Sequence, residues 1–245
     1  MTFSNPSYWL CTTPRSGSSV LGDALTHTEV AGRPTEYFNR RFWPDLFKRF
    51  GVTAATDYLE RVVTETATSN GVFGTKVMLD EDAAPIFAAL RERLGAPELS
   101  DAEVVRRTFP NLNFVYLTRR DKVAQAVSYC RAQQSGVWRR YHGSEPEPEG
   151  NAVFDFAAMH TQVLALTLRE RRWQEFFDDL AVRPHTVVYE ELVLEPEQTI
   201  REMLAFLGLE PPPGWSLSRL PMERLADETS KRWAERYLEE QPVRF

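Results

Sequence analysis

A chain of 245 residues with 42% hydrophobic and 26% charged residues fits a soluble globular protein, long enough to bury a full core as one large domain or two small ones. Its formal net charge of −6 argues against a general nucleic-acid binder. No run reaches the roughly 18 apolar residues that span a bilayer, and no basic segment precedes an apolar stretch near Met1, so neither a membrane span nor a signal peptide is expected and the cytoplasm is the default compartment.

Tyr8–Thr13 is a short apolar run of strand length. The tight segment Pro14–Ser19 follows, and Ser19–Leu25 has the apolar spacing of a helix. Helical patterns continue at Trp43–Phe50 and Thr53–Thr66. Gly71–Met78 reads as a second strand and Glu81–Leu94 as a helix. Asn113–Thr118 is a third strand, and Asp121 is placed to N-cap a helix running to Gln134. His142–Asn151, rich in Pro, Gly and Glu, is expected to be a mobile loop. Val153–Asp179 is a long helical pattern, His185–Tyr189 a short strand, and Glu195–Leu207 a helix that Gly208 would end. Pro211–Gly214 closes that unit, and Ala226–Glu240 is a last amphipathic helix. Strands alternating with helices imply an α/β fold with helices on both faces of a central, mainly parallel sheet. Ligands in such folds bind at the carboxyl ends of the strands, where Pro14–Ser19, Lys76, Arg119 and Tyr189 would converge.

The segment from Tyr8 to Leu25 is the most informative. A strand that feeds a helix through a basic Gly/Ser loop aims several backbone N–H groups at one point, where the helix dipole also favours an anion. The same pattern serves an ordinary strand–turn–helix. As a phosphate cradle, it lacks the Lys-Ser/Thr ending that reaches the outer phosphates and Mg²⁺ in nucleoside triphosphatases; Arg15 is the basic group instead. A nucleotide site that needs no metal is expected, and two cysteines and four scattered histidines give no zinc spacing. Cys11 and Cys130 read as core thiols.

Between Arg106 and Arg140 stand eight Lys/Arg and a single acid, Asp121, which reads either as a focused anion site or as a solvated basic face. Within it, Arg119 ends a strand and Ser128 lies two turns into the next helix. A strand-end arginine and a helix hydroxyl can clamp a second phosphate, and arginine does so bidentately. Trp138 and Trp233 read as core or rim packing rather than ligand stacking.

This pair of motifs resembles the two nucleotide signatures of sulfotransferases that use 3′-phosphoadenosine-5′-phosphosulfate, and the chain is most similar to the Stf0-type bacterial family. PRSGSS corresponds to QRSGST, VAGRPTEYF (Val30–Phe38) to VAGEPQEFF, and NGVFGTKVM (Asn70–Met78) to NGVWGGKLM. AQAVSYCRA (Ala124–Ala132) corresponds to SQAVSFWRA, followed by a shared VWR at Val137–Arg139. RLADETSKRWAERY (Arg224–Tyr237) corresponds to RQADQRSDEWVDRY. The matches keep their order across nearly the whole chain. Arg33 stands for an acid, Thr75 for a Gly, and the stretch between Tyr37 and Thr68 diverges.

The resemblance implies one sulfotransferase domain over residues 1–245 in a P-loop-like, three-layer α/β/α fold. It implies a sulfotransferase (EC 2.8.2.-) moving a sulfuryl group to a hydroxyl of a carbohydrate, trehalose-like, or of another small molecule, with no metal. Arg15, Ser16, Gly17, Ser18 and Ser19 would hold the 5′-phosphosulfate. Arg119 would hold the 3′-phosphate with Ser128, in preference to Arg120 because of its nine-residue spacing to Ser128. Tyr189, in a Tyr-Glu-Glu like the Tyr-Glu-Asp of cytosolic sulfotransferases, would contact adenine. Glu36 stands at the family's proposed catalytic base; Arg15 and Lys76 would stabilise charge on the transferring group. Lower-ranked bases are His142, His160 and Asp80. The family's members suggest a homodimer. Two other readings are a nucleoside or sugar kinase, disfavoured by the missing Lys-Ser/Thr, and a non-catalytic nucleotide or sugar-sulfate binding module, disfavoured by Glu36.

Overall fold

A strand apolar on both faces belongs inside a parallel sheet, and every residue of Ser7–Thr12 (β1) is buried. A computed structural model describes residues 2–143, 152–217, 220, 222 and 226–241. In it β1 pairs in parallel with Phe73–Met78 (β2) on one side and Leu112–Thr118 (β3) on the other; His185–Val188 (β4) joins β3 in parallel. The sheet is thus all-parallel, in the order β2-β1-β3-β4. The helices are α1 (Ser18–Thr26), α2 (Trp43–Phe50), α3 (Ala55–Thr66), α4 (Ala84–Leu94), α5 (Asp101–Thr108), α6 (Lys122–Ser135), α7 (Phe156–Leu180), α8 (Tyr189–Leu194), α9 (Pro196–Phe206) and α10 (Glu228–Glu240).

Successive strand residues point to opposite faces, and β1 shows the consequence. Trp9 and Cys11 join Phe73, Val77 and Phe114 in a core closed by α3, α4, α5 and the Trp173–Phe177 turn of α7. Tyr8 and Leu10 face the other way, packing with Val115, Leu117 and Val187 against α1 and α9. The layers are helix, sheet, helix, as expected, with β1, a tight loop and α1 in the P-loop-like arrangement. A third core joins α6 and α7 to α10 through Val127, Met159, Trp233 and Tyr237. Cys11 and Cys130 are buried free thiols. Among the described residues no helix is long and apolar enough to cross a membrane.

Several boundaries differ from the sequence expectation for local reasons. The helix expected from Glu81 begins at Ala84, because the Asp80 carboxylate accepts the Asp82 amide at 3.1 Å and shapes a turn there. The long helix begins at Phe156, with Asp155 accepting the Ala158 amide. Tyr189 opens α8 instead of ending the strand, and Glu195 leaves the helical region before Pro196 starts α9. Helix α5 was not expected, although Ser100 and Glu103 form a capping box at its start. Asp121 caps α6 as expected, accepting the Ala124 amide at 2.8 Å. Residues 144–151 of the expected mobile loop lie outside the described residues.

Candidate active site

The loop after β1 is held in an unusual shape. Arg15 has a φ of 62° and Gly17 a φ of 95°. Gly17 is the N-cap residue of α1, and no side chain caps that helix. A Cβ on Gly17 would fall 2.5 Å from Cδ2 of Tyr189. The position therefore needs glycine twice over, for its left-handed backbone and for the Tyr189 ring laid against it. Gln125 braces the loop from α6, its Nε2 donating to Thr13 Oγ1 at 2.9 Å and to the Pro14 carbonyl at 2.7 Å. Trp173 of α7 donates to the Thr12 carbonyl at 2.9 Å. The Ser16 hydroxyl is buried and meets Thr12 Oγ1, so this residue presents only its backbone to the loop.

Arg15 joins the two sequence motifs directly. Its Nε donates to Ser128 Oγ at 2.9 Å, and its Nη1 to the Trp138 carbonyl. Arg119, nearly fully buried, reaches the Arg15 carbonyl at 3.4 Å and lies 4.6 Å over the Tyr189 ring. Burial, and then the like charge of Arg119, pull the Arg15 guanidinium down to about 10. Half-buried Arg15 and buried Arg119 come together at a helix N-terminus with no side-chain cap, an arrangement suited to an anion.

Glu36 is positioned by a strip of chain pinned along β2. The Tyr8 hydroxyl donates to the Ala31 carbonyl at 2.7 Å, and Gly32 comes so close to β2 that a Cβ would lie 2.7 Å from the Gly74 amide. Thr35 bridges Thr75 in parallel, and its carbonyl accepts from the Lys76 amide at 2.9 Å and the Thr75 hydroxyl at 3.2 Å. Thr75, one of the departures from the family pattern, thus serves to pin this strip. The Glu36 carboxylate then meets Lys76 Nζ at 2.8 Å and Asn39 Nδ2 at 2.9 Å. Burial opposes ionisation of Glu36, but the Lys76 ammonium and these hydrogen bonds outweigh it and hold the carboxyl below the usual carboxylate range. Lys76 is almost wholly buried and also donates to Ser19 Oγ at 3.3 Å; burial pulls its ammonium below the ordinary lysine value despite Glu36.

One cleft of about 1290 Å³ gathers Arg15, Gly17, Ser18, Ser19, Glu36, Lys76, Arg119, Ser128 and Tyr189; Ser16 lies behind its wall. The volume exceeds the roughly 300–1,000 Å³ of a typical single-ligand pocket. Of the lower-ranked bases, Asp80 lines the cleft, and burial raises its carboxyl against the hydrogen bond it accepts from the Asp82 amide. His160, exposed on α7, stacks on Phe156 and meets the Tyr237 hydroxyl of α10 without lining the cleft, and His142 does not line the cleft either. The basic segment from Arg106 to Arg140 is not one patch. Arg119, Arg131, Arg139 and Arg140 line the cleft, whereas Arg106 binds the Leu180 carbonyl, Arg120 pairs with Glu191 and Lys122 with Glu170. Trp233 is core, and Trp138 is at the cleft rim. Asn39 and Gln125 escaped the sequence reading. Gln125 was findable, since it lies one turn before Ser128 on the same helix face. Among the described residues no group of three or more His, Cys, Asp or Glu is placed to hold a metal.

Residues 7–240 match the model of the Stf0 sulphotransferase family. A trehalose 2-sulfotransferase of Mycolicibacterium smegmatis is 30% identical over 260 residues, covering 94% of this chain and 94% of that protein. A trehalose 2-sulfotransferase of Mycobacterium tuberculosis is 28% identical over 267 residues, covering 96% and 95%. Among solved structures, a sulfotransferase from Alicyclobacillus acidocaldarius is 14% identical with a TM-score of 0.49, over 88% of this chain and 87% of that one.

Proposed function

We propose that this chain, which belongs to the Stf0 sulphotransferase family, moves a sulfuryl group from 3′-phosphoadenosine-5′-phosphosulfate to a hydroxyl of a carbohydrate or other small-molecule acceptor. It is a transferase enzyme, and the kinase and binding-module readings fall away with that membership. The observation that carries the donor assignment is the Arg15–Ser128 hydrogen bond beside buried Arg119. It joins two anion-binding motifs 113 residues apart in sequence. A nucleotide bearing anionic groups at both its 3′ and 5′ positions fits two such sites side by side, and the cleft leaves room for an acceptor.

On this reading the amides of Ser16–Ser19 at the α1 N-terminus, with Arg15, hold the 5′-phosphosulfate. Arg119 and Ser128 hold the 3′-phosphate. Tyr189, wedged between Gly17 and Arg119, spaces the two sites and offers what remains of its ring to the adenosine. The acceptor oxygen forms a bond to sulfur as the bond from sulfur to the bridging phosphate oxygen breaks. The electron pair leaves on phosphate, giving adenosine 3′,5′-bisphosphate, and the acceptor proton passes to Glu36. Lys76, 2.8 Å from Glu36, would neutralise charge on the departing oxygens. The whole chain acts as one sulfotransferase domain. The free cysteines fit a cytoplasmic site of action, and a homodimer, expected from the family resemblance, is checked by light scattering. The test is thermal stability with adenosine 3′,5′-bisphosphate against AMP, followed by transfer of radiolabelled sulfuryl groups to an acceptor panel. The bisphosphate raises the melting temperature well above AMP by mass action; equal shifts would refute the two-anion assignment.

A further inference from the structure

An asparagine amide donates at one end and accepts at the other, and its neighbours decide which end points where. At Asn39 the choice is forced. The Arg41 backbone N–H can only donate, and it meets Asn39 Oδ1 at 3.0 Å, which caps the short 3₁₀ turn Arg40–Phe42. The donor end, Nδ2, then faces Glu36 Oε2 at 2.9 Å. The backbone on either side is tied down as well. The Asn39 amide donates to the Glu36 carbonyl at 3.2 Å, and the Arg40 amide to the Asp82 carbonyl at 2.9 Å. Arg40 Nε also holds the Asp82 carboxylate at 3.0 Å. Lys76 Nζ, at 2.8 Å, takes the other oxygen of Glu36, Oε1. Each carboxylate oxygen has two lone pairs, so each keeps one for an acceptor hydroxyl.

We propose that Asn39 is a positioning residue for sulfuryl transfer, its forced donor end fixing the orientation in which the Glu36 carboxylate meets the acceptor hydroxyl. This rests on the proposed role of Glu36 as the base. Capping the turn needs only the Asn39 oxygen, a task that aspartate performs as well as asparagine. Orienting Glu36 needs the nitrogen, and a donor that cannot turn round favours the carboxylate over the neutral acid. The charged groups around Glu36 are Lys76 on β2 and Arg139 after α6, both cations, and Asp80, which lines a small pocket with Glu36 and Asn39. Only Asn39 combines a hydrogen bond to Glu36 with a direction fixed by a backbone amide.

Two measurements test this. Carbon-13 NMR of the glutamate carboxyls, with the Glu36 signal assigned by its loss in Glu36→Gln, follows ionisation without an acceptor. Asn39→Asp keeps the cap but sets a carboxylate against Glu36 Oε2, so the Glu36 carboxyl titrates about one pH unit or more higher. Single-turnover transfer from radiolabelled 3′-phosphoadenosine-5′-phosphosulfate to trehalose, or to water where trehalose is not taken, gives the rate. Asn39→Asp slows it about tenfold or more at neutral pH and recovers part of the loss as pH rises. Asn39→Ser, which also caps but lacks the reach to Glu36, slows it about fivefold. In a Glu36→Gln background either change costs less than about twofold, because Asn39 acts through the carboxylate. Affinity for adenosine 3′,5′-bisphosphate stays within about twofold throughout. A Glu36 signal and a rate that do not move in Asn39→Asp overturn the proposal and leave Asn39 as a turn cap. An equal rate loss with Gln at position 36 also overturns it, as does a bisphosphate affinity that falls with the rate. Normal transfer by Glu36→Gln, or a wild type that consumes no donor, overturns the underlying reading, and this proposal with it.

Discussion

Replacing Gly17 by alanine tests whether the loop geometry is what organises the site. An L-residue in the left-handed region costs about 1–2 kcal/mol, and Gly17 has a φ of 95°. The added methyl would also lie 2.5 Å from Tyr189 Cδ2. Forcing such an atom into packed surroundings costs about 1–3 kcal/mol more. The sum, about 2–5 kcal/mol, corresponds to a fall in melting temperature of about 4–20 °C for a chain of this size. The two parts separate in a double-mutant cycle. In a Tyr189→Ala background the steric part vanishes, and Gly17→Ala then costs only the backbone part, about 1–2 kcal/mol. Thermal and urea melts of the four proteins give the energies, and calorimetry with adenosine 3′,5′-bisphosphate gives the functional loss, which tracks the displacement of the loop. An equal cost of Gly17→Ala in both backgrounds would refute the packing of Tyr189 on the loop. No cost in either would refute the left-handed loop itself.

Glu36→Gln keeps shape but accepts no proton, so the single-turnover rate falls by about 10²-fold or more while bisphosphate affinity changes only a few-fold; near-normal turnover with chemistry rate-limiting would remove Glu36 as the base. Arg119→Ala weakens the 3′,5′-bisphosphate by tenfold or more and leaves AMP nearly unchanged, and parallel losses for both nucleotides would count against its assignment to the 3′-phosphate. The Glu36 carboxyl lies below its ordinary value of 4.5 in the folded protein. Its pairing therefore contributes stability that is fully present above that value and is lost as pH falls through the lowered one. Lys76→Met removes the opposing charge and leaves the burial, so the acid limb of the pH–rate profile moves upward; a limb that stays put means that Lys76 does not set the carboxyl's charge.

The elements that build the sheet were legible because β1 and the middle of β3 are apolar on both faces and the helices that follow repeat their apolar residues every three to four positions. Strand β1 and α1 could be read to within a residue at each end, and the Asp121 cap directly. What escaped depended on tertiary contact. The sequence reading ends a strand at Tyr189 and assigns nothing to 190–194, because the short helix α8 is held by Glu190, whose carboxylate accepts the backbone amides of Arg120 and Asp121 at 3.1 and 3.2 Å, about 70 residues away in sequence. The inward turn of the Ser16 hydroxyl could not be read either, since a Gly/Ser loop does not show which hydroxyls its curvature turns inward. The dispersal of the basic segment has the same origin. Basic residues on α5, just after β3, on α6 and after α6 point to different neighbours, and only the fold decides which of them reach the cleft.

The Lys76 ammonium ties the loop to the carboxylate. A buried ammonium needs an anion near it, and Glu36 is at 2.8 Å while Ser19, on the first turn of α1, is at 3.3 Å on the other side. An anion seated at the α1 N-terminus beside Ser19 draws on the same positive charge. The more of that charge the anion takes, the less is left to hold the Glu36 carboxyl down, and the burial that opposes its ionisation is still there. Proton affinity at Glu36 therefore rises when the loop is filled and falls when it empties. On the proposed transfer reading, the carboxylate would be a stronger base beside a bound donor than in the resting protein, which is when an acceptor proton has to be taken. Lys76→Met gives the limit of this effect, since it raises the carboxyl with the loop empty and removes the dependence on what the loop holds.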